Sequence, residues 1–375
     1  MDDVALLEGL LRIYSPTGQE AGVVDYLVAQ MRAAGLEAFV DEAGNAVGMC
    51  GQGPQPAPAC APSPLSLRPL RGGQGVSEAE GTVMLLGHID TVPGFIPVAR
   101  DGDRLNGRGA VDAKGPLACF VAAAARFAGE HIGSSPRFRL VVIGAVGEEG
   151  DSRGAHFIKD RYRPACTVIG EPSGWEKITL GYKGSAWFEY RAQRALAHTS
   201  AQNESACEAA VKFWNRVSAW AEARNLNNKM FDQVNPTLRG MQSDSDGFVE
   251  SAALRFGARL PPGLSVSALD DAVRNLLDCA ELTLLEGAPA YRAEKNTPLV
   301  RAFLAAIRKA GGSPSFSLKS GTSDMNVVGP AWGAPIVAYG PGDSSLDHTP
   351  EEHILISEYQ RAIGVLTDAL LGLAL

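Results

Sequence analysis

The sequence predicts an α/β protein with a mixed sheet, interrupted along the chain by a smaller α+β domain. In the first half, apolar strand patterns alternate with helical patterns. From about Trp175 the order changes to β-β-α-β-α-β, which is typical of an α+β unit with its own core. Patterns like those of the first half resume near Thr297. We therefore predict one domain built from residues 1–173 and 291–375, with residues 174–290 inserted into it.

The chain begins with two predicted helices and a strand pair. Leucines at helical spacing mark a helix over Val4 to Tyr14, and a second helix over Glu20 to Ala34 ends at Gly35. Leu36 to Val40 and Ala46 to Met49 are predicted to be two short strands joined by a turn.

The next segment, residues 51–81, carries prolines at positions 54, 56, 58, 62, 64 and 69 and almost no branched apolar residues. Burial cannot offset the ordering entropy of such a segment, so we predict a mobile, Pro-rich surface insertion. A Pro-rich docking ligand is the functional alternative.

The elements that follow bring ligand-type side chains to strand ends. They are a strand at Thr82–Leu86, a helix at Gly115–Phe127, and strands at Phe138–Val146 and Cys166–Ile169. His88, the pair Glu148-Glu149 and Glu171 each come shortly after one of these strands. Ligand sites of open α/β sheets lie at the carboxyl ends of the strands, so these side chains are expected to meet.

The inserted domain and the last part of the chain have their own predicted elements. They are an antiparallel strand pair at Lys177–Tyr182 and Ser185–Arg191, a helix at Glu204–Arg224, a strand at Phe248–Arg259, a helix at Val266–Cys279 and a strand at Ala280–Leu285, followed by helices at Thr297–Ala310 and His353–Leu371. The strand pair is predicted to turn at Lys183-Gly184.

The composition fits an acidic globular enzyme. The 375 residues are 45% hydrophobic and 20% charged, which is enough to bury two cores. A net charge of −8 and the lack of a basic run argue against nucleic-acid binding. No apolar run approaches the ~20 residues that span a bilayer, and the N-terminus lacks the basic region of a signal peptide. Six scattered cysteines suggest neither a thiolate zinc site nor a disulfide framework, so a cytoplasmic protein is expected.

His88 and Asp90 are the first candidate site residues. They lie two apart at a strand end, so their side chains point to the same side. The imidazole can bind a metal ion while the carboxylate selects its tautomer. A lone His-x-Asp is more often an ordinary polar turn. Here, however, four further motifs follow in order, which contain Asp112, Glu148-Glu149, Glu171 and His348. An ordered set of this kind is not expected by chance.

These motifs offer imidazoles and carboxylates but no thiolate, which suits Zn²⁺, Co²⁺ or Mn²⁺ in a hydrolytic role. Asp112 lies between glycine-rich turns and could bridge two ions. Of the adjacent Glu148 and Glu149, one can bind metal while the other holds the attacking water. The sequence therefore predicts a hydrolase with two divalent ions per subunit, with Zn²⁺ the expected metal and Co²⁺ an alternative.

The order H-x-D, G-R-G-x-x-D-x-K-G, G-E-E-G, G-E-P and H-x-P-x-E resembles the two-metal aminoacylase and carboxypeptidase G family, whose relatives include acetylornithine deacetylase and succinyl-diaminopimelate desuccinylase. The resemblance implies a metallopeptidase-like catalytic domain with an inserted lid and dimerisation domain. It implies two ligand sets: His88, Asp112 and Glu171 for one ion, and Asp112, Glu149 and His348 for the other. Asp90 would orient His88, and Glu148 would be the general base that later protonates the leaving amine.

The same resemblance implies a homodimer in which the smaller domain sends a histidine toward the partner's active site. His198, in the sequence Ala197-His198-Thr199-Ser200, matches that histidine. Its imidazole would contact the tetrahedral oxyanion or the substrate carboxylate.

Two segments of the carboxyl half indicate a particular group of hydrolases within the family. Lys319–Asn326 and Tyr339–Ser344 resemble the LysW-lysine and LysW-ornithine hydrolases of lysine and arginine biosynthesis. This implies hydrolysis of the amide that joins the C-terminal glutamate of a small acidic amino-group carrier protein to lysine, to ornithine or to both.

The substrate pocket would be lined by the loop that contains Ser320, Gly321 and Thr322. Arg259 would bind a substrate carboxylate, although Gly257 stands where relatives often place an aspartate.

Two other functions remain open on the sequence. A small-molecule N-acyl amino acid deacylase, of the acetylornithine or acetyl-lysine type, or a dipeptidase would carry the same motifs. A metal-free binding protein could also use this scaffold, although it would not need every ligand type in its place. Cleavage of carrier-free substrates distinguishes the first of these functions, and metal analysis distinguishes the second.

Overall fold

The computed structural model describes residues 2–51, 81–130, 138–200 and 202–373. The predicted Pro-rich insertion lies almost entirely outside the described residues. The chain divides into two compact units. The first unit contains Met1–Leu180, Ala293–Ser317 and Val327–Leu375, and the second contains Gly181–Arg292 and Leu318–Asn326. The division predicted from the sequence differs in placing residues 291–292 and 318–326 with the larger domain and residues 174–180 with the smaller one.

The helices are α1 (Asp3–Arg12), α2 (Ala21–Ala33), α3 (Lys114–Glu130), α4 (Arg153–Ile158), α5 (Ala206–Asn225), α6 (Val266–Arg274), α7 (Pro298–Lys309), α8 (Asp324–Trp332) and α9 (Ile356–Leu371). Two 3-10 turns lie at Met230–Asp232 and Ser344–Leu346. Among the described residues, no helix is both long enough and apolar enough to cross a membrane.

The strands are β1 (Glu37–Val40), β2 (Ala46–Cys50), β3 (Gly81–His88), β4 (Ala99–Asp101), β5 (Arg104–Asn106), β6 (Phe138–Ala145), β7 (Cys166–Gly170), β8 (Lys177–Tyr182), β9 (Gly184–Ala195), β10 (Asn235–Ser245), β11 (Val249–Leu260), β12 (Glu281–Ala288), β13 (Tyr291–Arg292), β14 (Ser315–Lys319), β15 (Ile336–Ala338) and β16 (His353–Leu355). β16, β5 and β4 form a small antiparallel sheet.

The first unit is built on a mixed sheet with the strand order β1-β2-β6-β3-β7-β15-β8. The four neighbouring strands β6, β3, β7 and β15 run parallel, and antiparallel pairs flank them. In β3, every residue from Val83 to His88 is buried, as expected for a strand whose two faces are both covered. The α/β class with a mixed sheet, predicted from the sequence, is confirmed.

Three glycines lie side by side across the parallel strands, because Gly87 is in register with both Gly144 and Gly170. A Cβ at Gly144 would lie 2.8 Å from the Leu27 side chain of α2, and a Cβ at Gly170 would lie 3.0 Å from the Phe120 ring of α3. The missing side chains therefore allow these helices to pack closely on the sheet, directly beside the strand ends.

The second unit has its own antiparallel sheet, in the order β10-β11-β9-β12, with α5 and α6 packed against it. α5 begins with a capping box, in which the Ser205 hydroxyl accepts the Glu208 N–H and the Glu208 carboxylate accepts the Ser205 N–H. Phe213 on α5 stacks on Tyr190 of β9, with the ring centroids 4.3 Å apart. This aromatic contact lies in a separate hydrophobic core that belongs to the second unit alone.

Several details of the predicted elements are wrong. The prediction lacks α4, α8 and the short strands β4, β5, β13, β14 and β15. β8 and β9 do not pair, because they belong to different sheets; Gly184 instead pairs with Leu260, and Ser185 pairs with Ala288. β10 was not predicted, because its sequence NPTLRGMQSDS has no apolar alternation and it is an exposed edge strand. The last helix begins at Ile356, since the three residues before it form β16.

Replacing Gly170 with Ala should destabilise the protein by about 1–3 kcal/mol, because the new methyl group would press on Phe120 and on the Gly87 Cα at 3.1 Å. Outside the backbone of α3 itself, no atom of the described residues lies within 4 Å of a Cβ added at Gly129, so Gly129→Ala should stabilise by about 0.5–1 kcal/mol. The midpoint of thermal unfolding, followed by circular dichroism, measures both effects. An unchanged midpoint for Gly170→Ala would contradict this packing.

Candidate metal centre

The candidate centre lies in the first unit, at the carboxyl ends of the parallel strands. His88 is the last residue of β3 and is in register with Ala145, the last residue of β6. Glu148 and Glu149 follow β6, and Glu171 follows β7 directly. Because these strands are neighbours that end at the same level, residues far apart in sequence come together here.

Asp112 lies between two histidines. Its Oδ1 is 3.1 Å from Nε2 of His88, and its Oδ2 is 3.0 Å from Nε2 of His348. His88 is buried, whereas the His348 side chain is half exposed. One carboxylate thus directs a different oxygen toward each imidazole, which is the arrangement that a bridging ligand of two ions requires.

Two groups of side chains share Asp112 and could each hold an ion. In each group the candidate donor atoms lie within 4.8 Å of one another; the groups are His88, Asp112 and Glu171, and Asp112, Glu149 and His348. These are the two ligand sets expected from the sequence. His88, Glu148 and Glu149 also satisfy the distance limit. Of the two glutamates, Glu149 makes the closer contact to an imidazole. Its Oε1 lies 3.1 Å from His348 Nε2, whereas Glu148 Oε2 lies 3.9 Å from His88 Nε2.

The electrostatics of the cluster favour cations. Hydrogen bonds to Asp112 and Glu149 raise the pKa of His348 to about 10. Burial lowers the pKa of His88, but the charge of Glu148 and the hydrogen bond to Asp112 outweigh burial and keep this pKa well above its ordinary value. Burial raises the pKa of Asp112, yet its hydrogen bonds to the two histidines leave it well below its ordinary value. Carboxylates that hold protons on neighbouring imidazoles would equally stabilise a divalent ion, which competes with those protons.

The donor set fits the metals expected from the sequence. Two imidazole nitrogens and several carboxylate oxygens, with no thiolate among them, suit Zn²⁺ or Co²⁺. The orientation of His88 suits a metal ligand, because its Nδ1 donates to the main-chain oxygen of Asp90 at 3.0 Å. A carbonyl oxygen can only accept, so Nδ1 carries a proton and Nε2 is the nitrogen available to a metal.

The sequence predicts that the Asp90 carboxylate orients His88, but the structure shows a different contact. Its carboxylate lies 3.7 Å from His88 Nδ1, so the closer contact to the imidazole is the main-chain carbonyl. The carboxylate accepts the main-chain N–H groups of Glu148 and Glu149, each at 3.1 Å, and the Thr17 hydroxyl at 2.7 Å. Asp90 therefore also holds the turn that carries both glutamates. Thr17 is not predicted as a site residue from the sequence, since its Pro-Thr-Gly context is that of an ordinary helix stop.

The remaining predicted site residues lie in the second unit. His198 is exposed, and its Nδ1 lies 2.8 Å from the Ser200 hydroxyl and accepts the Ser200 N–H at 3.2 Å. Arg259 Nη1 donates to the Thr322 hydroxyl at 3.5 Å, so the structure brings two of the predicted substrate-binding residues together. Ser320 and Gly321 belong to the same loop as Thr322.

Gly257, the departure noted beside Arg259, has a packing reason. A Cβ there would lie 3.2 Å from the Trp187 ring. Within the second unit, the glycine therefore makes room for an aromatic ring.

The fold and this cluster of imidazoles and carboxylates define a class, the metal-dependent hydrolases. The chain belongs to peptidase family M20/M25/M40, whose family model matches residues 84–372, and it is thus a metallohydrolase that acts on amide bonds. A LysW-lysine hydrolase of Deinococcus radiodurans is 41% identical over 373 residues, covering 97% of this chain and 95% of that protein. A LysW-lysine/LysW-ornithine hydrolase of Sulfurisphaera tokodaii is 29% identical, covering 79% of this chain and 82% of that protein.

Solved structures share the fold. The YXEP protein of Bacillus subtilis, described as a dinuclear metal binding peptidase from the M20 family, matches with a TM-score of 0.70. That match covers 99% of this chain and 97% of that one at 11% sequence identity, so it concerns the fold alone.

The shared carboxylate predicts unequal effects of two substitutions. His348→Ala should lower the metal content from two ions to about one, whereas Asp112→Ala should lose both ions because both ligand sets expected from the sequence contain Asp112. Metal analysis of purified variants after equilibration with Zn²⁺ measures this. His156→Ala, which removes an exposed histidine on α4, is the matched control and should keep both ions. Retention of one full ion by Asp112→Ala would contradict sharing.

Proposed function

We propose that this protein is a two-metal hydrolase that releases lysine, ornithine or both from the C-terminal glutamate of an acidic amino-group carrier protein. The position of Asp112 between two histidines is the observation that supports a two-metal reaction. The likeness to the LysW-lysine hydrolase, over 97% of this chain, supports the substrate and a role in lysine biosynthesis. The Sulfurisphaera tokodaii protein, named for both products, is the reason to include ornithine and arginine biosynthesis.

In this proposal Zn²⁺ occupies both positions, and Co²⁺ can replace it. The ligands are His88, Asp112 and Glu171 for one ion, and Asp112, Glu149 and His348 for the other. When bound, such ions polarise the amide carbonyl and make water more acidic. Asp90 is a positioning residue, which orients His88 through its carbonyl oxygen and the two glutamates through its carboxylate.

Glu148 is the proposed general base. It takes a proton from the attacking water and delivers this proton to the leaving amine of lysine or ornithine. Its side chain is only 12% exposed and lies beside His88. Asp90 accepts the main-chain N–H of Glu148 and so keeps the Glu148 carboxylate at the metal centre. Glu149, and not Glu148, is the glutamate that contacts His348.

The second unit supplies the proposed substrate contacts. Arg259 binds a substrate carboxylate, and Ser320, Gly321 and Thr322 line the pocket. Burial and the nearby positive charge of Arg239 lower the pKa of Arg259, so an anion at this guanidinium would be stabilised.

We include in the proposal a homodimer, in which the second unit is a lid and dimerisation domain. His198 of one subunit supports the oxyanion in the site of its partner. Its exposure, with Nδ1 held by its own loop, is consistent with this role. The five cysteines among the described residues are free thiols, which supports a cytoplasmic location.

The substrate is tested with purified protein and four compounds side by side: carrier-linked lysine, carrier-linked ornithine, N-acetyl-lysine and N-acetyl-ornithine. We expect release of lysine, ornithine or both from the carrier, measured by the mass of the carrier protein, and far slower cleavage of the acetylated amino acids. Equal or faster cleavage of the small compounds would instead indicate a small-molecule deacylase.

Replacing Glu148 with Gln removes the proton acceptor but keeps the side-chain size. The variant should keep its metal content while kcat falls by roughly 10²–10⁴-fold. Asp151→Asn, three positions along the same turn and 72% exposed, is the matched control and should keep full activity. A Glu148→Gln enzyme with wild-type turnover would rule out this base.

Mixing chains provides a further control on this mechanism. In a heterodimer of a Glu148→Gln chain and a His198→Ala chain, one active site receives both intact residues if His198 crosses to the partner. Neither variant alone should be active, and the mixture should recover part of the activity. A mixture that stays inactive would count against the crossing histidine.

A further inference from the structure

Glu352 is a buried carboxylate beside the candidate metal centre in the first unit. Its Oε1 accepts the main-chain N–H of Val111 at 2.9 Å and that of Asp112 at 3.1 Å. Its Oε2 accepts from Arg108 Nη1 at 2.8 Å, and the Glu352 side chain is fully buried. The carboxylate thus holds the backbone of the loop that carries the proposed bridging ligand.

Arg108 extends this contact to two further loops. Its Nε donates to the Gly94 oxygen at 2.9 Å, and its Nη1 also donates to the Thr349 oxygen at 3.2 Å. Thr349 directly follows His348, which has a φ of 62°. A residue other than glycine keeps this conformation only when its surroundings hold it. The pair of Arg108 and Glu352 therefore connects the segments after Asp90, around Asp112 and around His348.

The same pattern of hydrogen bonds occurs twice at the candidate metal centre. Asp90 accepts the N–H groups of two consecutive residues, Glu148 and Glu149, just as Glu352 accepts those of Val111 and Asp112. In each case, a buried carboxylate outside the ligand sets fixes the backbone of a loop that supplies a ligand.

We propose that Glu352 is a positioning residue for the metal centre: by fixing the Asp112 loop against the His348 segment, it sets how tightly the two ions bind. Glu352 is part of the H-x-P-x-E motif, but its role cannot be predicted from the sequence. The inference rests on the metal centre of the proposed function and is independent of the substrate.

The test compares Glu352→Gln with Glu351→Gln. Gln at position 352 is nearly isosteric but can no longer accept from Arg108 and from both N–H groups as a carboxylate does. Glu351 is the adjacent, exposed carboxylate, so its replacement removes the same charge without touching the Asp112 loop. Zn²⁺ affinity is measured by competition with a chelator, at a temperature where circular dichroism shows each variant folded.

We expect the Zn²⁺ affinity of Glu352→Gln to fall by roughly 10–100-fold, as for other residues that orient metal ligands. Its Co²⁺ absorption spectrum should change, while Glu351→Gln should match the wild type in both measurements. A folded Glu352→Gln variant with wild-type affinity and spectrum would overturn the inference, even if its unfolding temperature were lower. Wild-type protein that binds neither ion would overturn the proposed metal centre as well.

A second measurement applies if Glu352→Gln does not fold. Hydrogen exchange of the metal-free wild-type protein, resolved to single amides, should show slow exchange at Val111 and Asp112 because Glu352 holds both N–H groups. Exchange at the rate of an open loop at these two amides would overturn the inference.

Discussion

The main electrostatic constraint on the first unit is the negative charge of the carboxylates gathered at one end of its sheet. Asp112, Glu148, Glu149 and Glu171 lie around two imidazoles, and like charges this close raise the free energy of the folded state unless something balances them. The histidines supply part of the balance, as the raised pKa of His348 indicates. The remainder is what a pair of divalent ions would provide. A cluster of carboxylates whose charge cations can balance is therefore the physical basis of the proposed chemistry.

Around this group, further buried carboxylates are satisfied by donors of the protein itself. Asp90 is bound by the Thr17 hydroxyl and two N–H groups, and Glu352 is bound by Arg108 and two N–H groups. Burying a charge is tolerable only when it is paired and hydrogen-bonded, and both conditions are met for Glu352. Asp90 and Glu352 thus hold loops in place through their hydrogen bonds. The carboxylates of the two candidate ligand sets remain available to bind metal.

The loops that carry the candidate ligands begin at the ends of neighbouring strands, which lie at the same level of the sheet. The row of Gly87, Gly144 and Gly170 lets α2 and α3 pack against the strands directly beside their ends. Bulkier residues would push these helices away and change the height at which each loop leaves the sheet. The core of the second unit is instead built on an aromatic stack around Phe213.

The sequence by itself determined the α/β class, most helices and strands, and the identity and order of the ligand-type residues. These features leave local signatures, since apolar periodicity marks an element and His88 or Glu171 directly follows such a pattern. Tertiary structure alone decided which atoms meet. The two oxygens of Asp112, the donors to Asp90 and Glu352, and the separation of β8 from β9 all depend on hydrogen bonds between residues far apart along the chain. Such contacts have no period and no fixed spacing, because the register of the strands and the course of the loops create them.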